Sequence, residues 1–192
     1  MIQIFGDFID RPNSHEYLII GFSPSSIPLQ QRWRNNGLSA DFLADYLTTF
    51  FPGNEGEPTT IYRQAEIKSA VSYIANELLE NAMKFNDETS QYPIDIKLHL
   101  ESDGLIFSVA NSISPLAVGK FQVYIQELLA GDPSELYIQQ LEKNAADENS
   151  TASGLGLLTL LSDYTAKIGW KFETVQKDPE IIAVTTMVQL KV

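Results

Sequence analysis

The sequence predicts a single α/β domain, and two patterns in its 192 residues carry that expectation. Apolar residues at three- and four-residue spacing, Ile67, Val71, Ile74, Leu78, Ala82 and Phe85, mark a helix with one face on a core. Alternating runs at Ile94 to Leu100, Leu105 to Val109, Trp170 to Val175 and Ile181 to Val192 mark strands. A balance of 44% hydrophobic and 20% charged residues is that of a globular chain.

Composition excludes several functions. No apolar run approaches the roughly 20 residues of a membrane span, and Met1 to Asp7 lacks the basic start of a signal peptide, so the chain is expected to be cytoplasmic without a membrane partner. Cysteine is absent, which removes disulfides and thiolate metal sites. The two histidines, His15 and His99, read as neither a base nor a phosphoacceptor. His99 falls on the polar face of its strand and is expected to be exposed. A formal net charge of -12 argues against nucleic acid and favours a basic or neutral protein partner, although acidity also serves solubility.

In chain order, Met1 to Phe8 reads as an edge strand and Asp10 to Ser14 as a turn. Tyr17 to Phe22 is a further strand, broken by Ser23-Pro24. The cluster Gln31-Arg32-Trp33-Arg34 has two readings, a partner contact or a Trp packed on its own domain with the arginines solvated. Ser39 is a candidate N-cap for a short helix over Ala40 to Leu47. After the helix through residues 67–85, Glu101 to Gly104 joins two strands as a hairpin, and Asn111 to Pro115 is expected to end the second strand. Lys120 to Ala130 and Ser134 to Lys143 read as helices, followed by a polar stretch to Ala152.

The chemistry concentrates on one helical stripe. Glu77, Asn81 and Lys84 stand at i, i+4 and i+7 and are neighbours on one face. Asparagine is a poor helix former, so Asn81 points to a role beyond helix stability. Its neutral oxygen can complete the shell of a magnesium ion that keeps its water and phosphate ligands. Glu77, one turn earlier, can orient or deprotonate an attacking water or hydroxyl, and Lys84 adds positive charge near the phosphates. The plain alternative is a solvated face with a Glu80–Lys84 pair. Farther on, Ser153-Gly154-Leu155-Gly156-Leu157 opens an apolar helix. Glycines there allow a phosphate close to the backbone, or simply meet the need for two unusual backbone angles.

The run Glu77-Leu78-Leu79-Glu80-Asn81-Ala82-Met83-Lys84-Phe85, followed by Gly154-Leu155-Gly156, resembles the GHKL superfamily of ATP-binding domains, over roughly residues 65 to 192. The resemblance implies a two-layer α/β sandwich, a mixed β-sheet with helices on one face. Residues 63–192 would form this histidine-kinase-like ATPase domain and residues 1–62 an N-terminal extension packed on it. It further implies that Glu77 is the catalytic base, that Asn81 holds magnesium, and that Lys84, Ser153, Gly154, Leu155 and Gly156 bind the phosphates of ATP or ADP. The segment from Pro115 to Ala152 would take the place of the lid.

One motif departs from the family. Where the resemblance calls for an adenine-binding aspartate followed by glycines, this chain has Val109-Ala110-Asn111-Ser112-Ile113. Asn111 can accept one hydrogen bond but brings no charge and adds a competing donor, which weakens nucleotide recognition. Without a phosphoacceptor histidine, the chain resembles stand-alone bacterial anti-sigma-factor serine kinases of partner-switching pathways. That resemblance implies a regulator with weak or residual nucleotide binding, a sigma factor or small antagonist protein as partner, and a homodimer. The alternative is a non-catalytic interaction module, and a simple small-molecule ATPase ranks last.

Overall fold

The computed structural model describes residues 1–12, 14–23, 33–54, 56–146 and 154–192, with the side chains of residues 33 and 34 left out. The Arg32, Trp33 and Arg34 side chains and Ser153 therefore lie outside the described residues. In chain order the elements are β1 (Ile2–Gly6), β2 (Glu16–Phe22), α1 (Trp33–Thr48), α2 (Pro58–Lys84), β3 (Ile94–Glu101), β4 (Gly104–Ile113), α3 (Pro115–Ala130), α4 (Pro133–Ala146), α5 (Gly156–Ser162), β5 (Lys167–Lys177) and β6 (Glu180–Lys191).

Six strands form one sheet in the order β1-β5-β6-β4-β3-β2. Every pairing is antiparallel where a mixed sheet is expected. Two hairpins, β3–β4 and β5–β6, build the centre, and their pairing through β4 and β6 preserves the alternation. The helix-facing surface carries Ile96, Leu98, Phe107, Val109, Val188, Trp170 and Phe172, all buried. Against it α2 sets Val71, Ile74, Ala75, Leu78 and Leu79, and α3 sets Ile125 and Leu128. The result is a two-layer α+β sandwich with helices on one face.

Residues 1–62 supply β1 and β2, the two opposite edges of the sheet, together with α1, and position 62 falls inside α2. Because β1 and β2 are at opposite edges, the chain between them must cross the sheet, and residues 7–12 and 14–15 do so over its outer face. Asp7 N donates to Ile168 O (3.0 Å), Ile9 N to Met187 Sδ (3.3 Å) and Ser14 N to Glu101 Oε1 (3.0 Å).

Several local expectations are corrected. Helix α1 begins at Trp33, so Ser39 is an interior residue and not an N-cap. The buried stripe Asn36, Ala40, Leu43, Ala44 and Leu47 extends the helix face one turn earlier. Strand β4 runs on to Ile113, because β6 offers partners for Asn111 and Ser112 in Val184 and Ala183. Phe85, expected on the core face, caps α2 and is exposed, with the Lys84 ammonium 5.4 Å from its ring centroid. His99 is half-buried against Tyr17, with centroids 5.5 Å apart, and that burial pushes its pKa down.

Candidate functional site

The polar stripe of α2 meets the start of α5. Tyr73, Glu77 and Asn81 are half-buried and Lys84 is exposed, while Val71, Ile74, Leu78 and Ala82 anchor the opposite face. The Glu77 carboxylate lies directly on Gly156: a Cβ built on that glycine would stand 2.9 Å from Glu77 Cδ and run into Oε2. The two glycines therefore serve different purposes. Gly154 adopts a positive φ of 63°, and Gly156 leaves room for a carboxylate. Leu155 between them is half-buried, and its carbonyl accepts the Thr159 N–H at 2.8 Å.

Burial pushes the Glu77 carboxyl above its ordinary range, and the charge of Glu80 adds to that rise. Glu80 accepts a hydrogen bond from Asn76 Nδ2 (3.0 Å), and Lys84 turns to the Phe85 ring. The solvated Glu80–Lys84 pair is thus not formed among the described residues. The Asn81 side chain makes no hydrogen bond among them either, which leaves its oxygen available.

Around Glu77 stand residues that sequence reasoning passed over. The Tyr73 ring stacks on Tyr164, with centroids 5.5 Å apart. Burial pushes the Tyr73 hydroxyl upward. Tyr73 precedes Glu77 by four residues on the same stripe, so its spacing was the available signal.

At the far end of the stripe, Asn86 clamps α2 to β4. Its Oδ1 accepts from both Ser112 N (3.2 Å) and Ser112 Oγ (2.9 Å), and Asp87 N donates to Ser112 O (3.1 Å). This holds Asn111, buried on the helix-facing side of β4 opposite Val184, near the C-terminal end of α2. Asn111 Nδ2 donates to Ser112 O at 2.8 Å, and Ile113 beside it is buried. From Glu77 to Lys84 the stripe is about 10 Å long at 1.5 Å per residue.

Among the described residues no three His, Asp or Glu side chains gather as a metal cage. The stripe instead offers one carboxylate and one amide a turn apart, a donor set that fits magnesium bound largely by water and phosphate. Two clefts lie elsewhere, one of about 280 Å³ between β2 and α1 and one of about 310 Å³ beneath the crossing at Ile9 and Pro12.

No protein-family model matches the chain, and no curated protein matches its sequence. Its fold is similar to that of a chain in the crystal structure of the SiaB–SiaC complex from Pseudomonas aeruginosa. The TM-score is 0.54 at 15% identity, over 90% of this chain and 89% of that one. At this identity the likeness is one of fold. No helix of the described residues is long and apolar enough to cross a membrane.

Proposed function

We propose that this chain is a signalling regulator of the anti-sigma or partner-switching type that works by binding another protein and keeps weak nucleotide binding on α2. The observation that carries this reading is the contact of Glu77 with Gly156, which joins the two motifs expected to face a nucleotide's phosphates. In this reading Asn81 holds magnesium, Lys84 and the Gly154–Gly156 turn meet the phosphates, and Glu77, whose proton affinity is raised, takes a proton from the attacking hydroxyl. Magnesium, when bound, neutralises phosphate charge. If active, the chain is a serine or threonine protein kinase. The fold likeness to a chain crystallised in a two-protein complex supports a protein partner.

A second reading, an interaction module without nucleotide, is favoured by Asn111, whose amide is spent on Ser112 O beside the buried Ile113. Calorimetry with ATP and ADP, with and without magnesium, separates the two. The first reading expects binding weakened by the roughly 1.5 to 3 kcal/mol of one lost charged hydrogen bond, dependent on magnesium and abolished by Asn81→Ala. An absence of heat at millimolar nucleotide would leave the interaction module.

A further inference from the structure

The outer face of the sheet, opposite the helices, carries a cleft whose charges are sorted by side. Strands β3, β4, β6 and β5 set two cross-strand rows there, Glu101–Gly104–Lys191 and His99–Ile106–Gln189–Lys167. Gly104 has no side chain and Ile106 is buried, so the middle of both rows is low and apolar, and Ile9 and Pro12 pass over it. In the cleft of about 310 Å³ between them, Glu101 and Asp103 line the β3 side and Lys167 and Lys191 the β5–β6 side. Strands β3 and β6 are two strand spacings apart, roughly 10 Å. Lys68, Lys97 and Lys171 all find carboxylates, yet Lys167 and Lys191 make no ion pair among the described residues, in a chain with 25 Asp and Glu against 13 Lys and Arg. Asp103 is likewise unpaired among them, and Glu101 accepts from Ser14 N through one oxygen only. Beside Lys167, Thr165 turns the chain out of α5 at a φ of 47°, a left-handed conformation that glycine adopts at least cost and a β-branched residue reaches under strain. Its hydroxyl makes no hydrogen bond among the described residues, and it lines the cleft. A strained side chain kept at a cleft marks a site that uses it.

We propose that this cleft binds a small zwitterion of dipeptide size. Its carboxylate lies between the Lys167 and Lys191 ammonium groups and the Thr165 hydroxyl, and its ammonium group lies against Glu101 and Asp103. Opposite charges on the two walls favour a ligand charged at both ends over a plain anion, which the two carboxylates repel. The distance between the walls favours one whose charges are several bonds apart, since a free α-amino acid carries both on one carbon and serves a single wall. An apolar side chain on the ligand suits the floor at Ile106 and the roof at Ile9. The site is independent of the nucleotide reading, because none of its residues lies on the Glu77 stripe.

The test is a chemical-shift titration of the isotope-labelled full chain with glycylleucine. This dipeptide is expected to shift the backbone amides of Gly104, Thr165, Lys167 and Lys191. Acetylating its amine or amidating its carboxylate removes the charge that one wall holds, and each is expected to weaken binding at least about tenfold. Inorganic phosphate is expected to bind no better than the blocked dipeptides. Lys191→Met and Asp103→Asn, on opposite walls, are each expected to weaken glycylleucine binding. Thr165→Gly relieves the left-handed strain, so it is expected to raise the melting temperature while lowering affinity, a pairing that a purely architectural threonine would not give. The absence of shifts at these amides with millimolar dipeptide overturns the proposal. So does equal binding of the blocked dipeptides, tighter binding of phosphate, or full affinity in the Lys191→Met, Asp103→Asn and Thr165→Gly chains.

Discussion

Glu77 shows how one residue can be costly to the fold and still be retained. Its carboxyl has a raised proton affinity because burial disfavours the charged form, with Glu80 contributing second. The folded state therefore binds the proton more tightly than the unfolded state, and stability falls as pH rises from the ordinary glutamate value of 4.5 through the higher folded value. Glu77→Gln is expected to raise the melting temperature at pH 8, with the advantage shrinking to nothing at pH values below that range, as thermal melts across pH would record. Gly156 is the counterpart. Gly156→Ala drives a methyl toward the carboxylate, whose side chain must turn aside, and is expected to cost about 0.5–1.5 kcal/mol. In Glu77→Ala the obstruction is gone, so adding Gly156→Ala there is expected to be neutral or slightly stabilising, a coupling that a double-mutant cycle by denaturant titration reads directly.

Helix α2 was legible because both of its faces are written in the sequence at helical spacing, and the hairpin strands were legible from alternation. What could not be read is where elements end, because partners distant in sequence decide that. The polar run Asn111-Ser112 looks like a strand terminator, yet β6 pairs with it and Asn86 satisfies the Ser112 backbone and hydroxyl. The same clamp explains why Phe85 leaves the core: the chain must turn at the end of α2 to bring Asn86 inward. Asn86→Ala removes an acceptor shared by two buried donors and is expected to cost about 1–3 kcal/mol. Amide exchange should quicken at Ser112 and in the last turn of α2 while the centre of that helix stays protected.

At the level of the molecule, strand order was beyond sequence reading, since neither alternation nor turn chemistry reveals that β1 and β2 occupy opposite edges. Their separation makes residues 7–12 a strap across the outer face, and the sheet has to let that strap approach closely. Gly169 in β5 provides the opening: a Cβ there would stand 2.6 Å from Phe8 Cα and 2.7 Å from the Asp7 carbonyl carbon. Both are main-chain atoms that cannot rotate aside. Around this point the strap is held by Asp7 N on Ile168 O, by Gln189 Nε2 on Asp7 O, and by Lys171 on Asp10 (3.3 Å). Gly169→Ala must therefore lift the strap or bend β5, and is expected to destabilise the chain by about 1–3 kcal/mol. Gly119 in α3 has nothing within 4 Å of its Cβ position and is exposed, so Gly119→Ala is expected to stabilise by up to about 1 kcal/mol through helix propensity. Urea titrations of the two variants should move the midpoint in opposite directions. If Gly169→Ala left the midpoint unchanged, the strap would not be pressed on the sheet at that glycine.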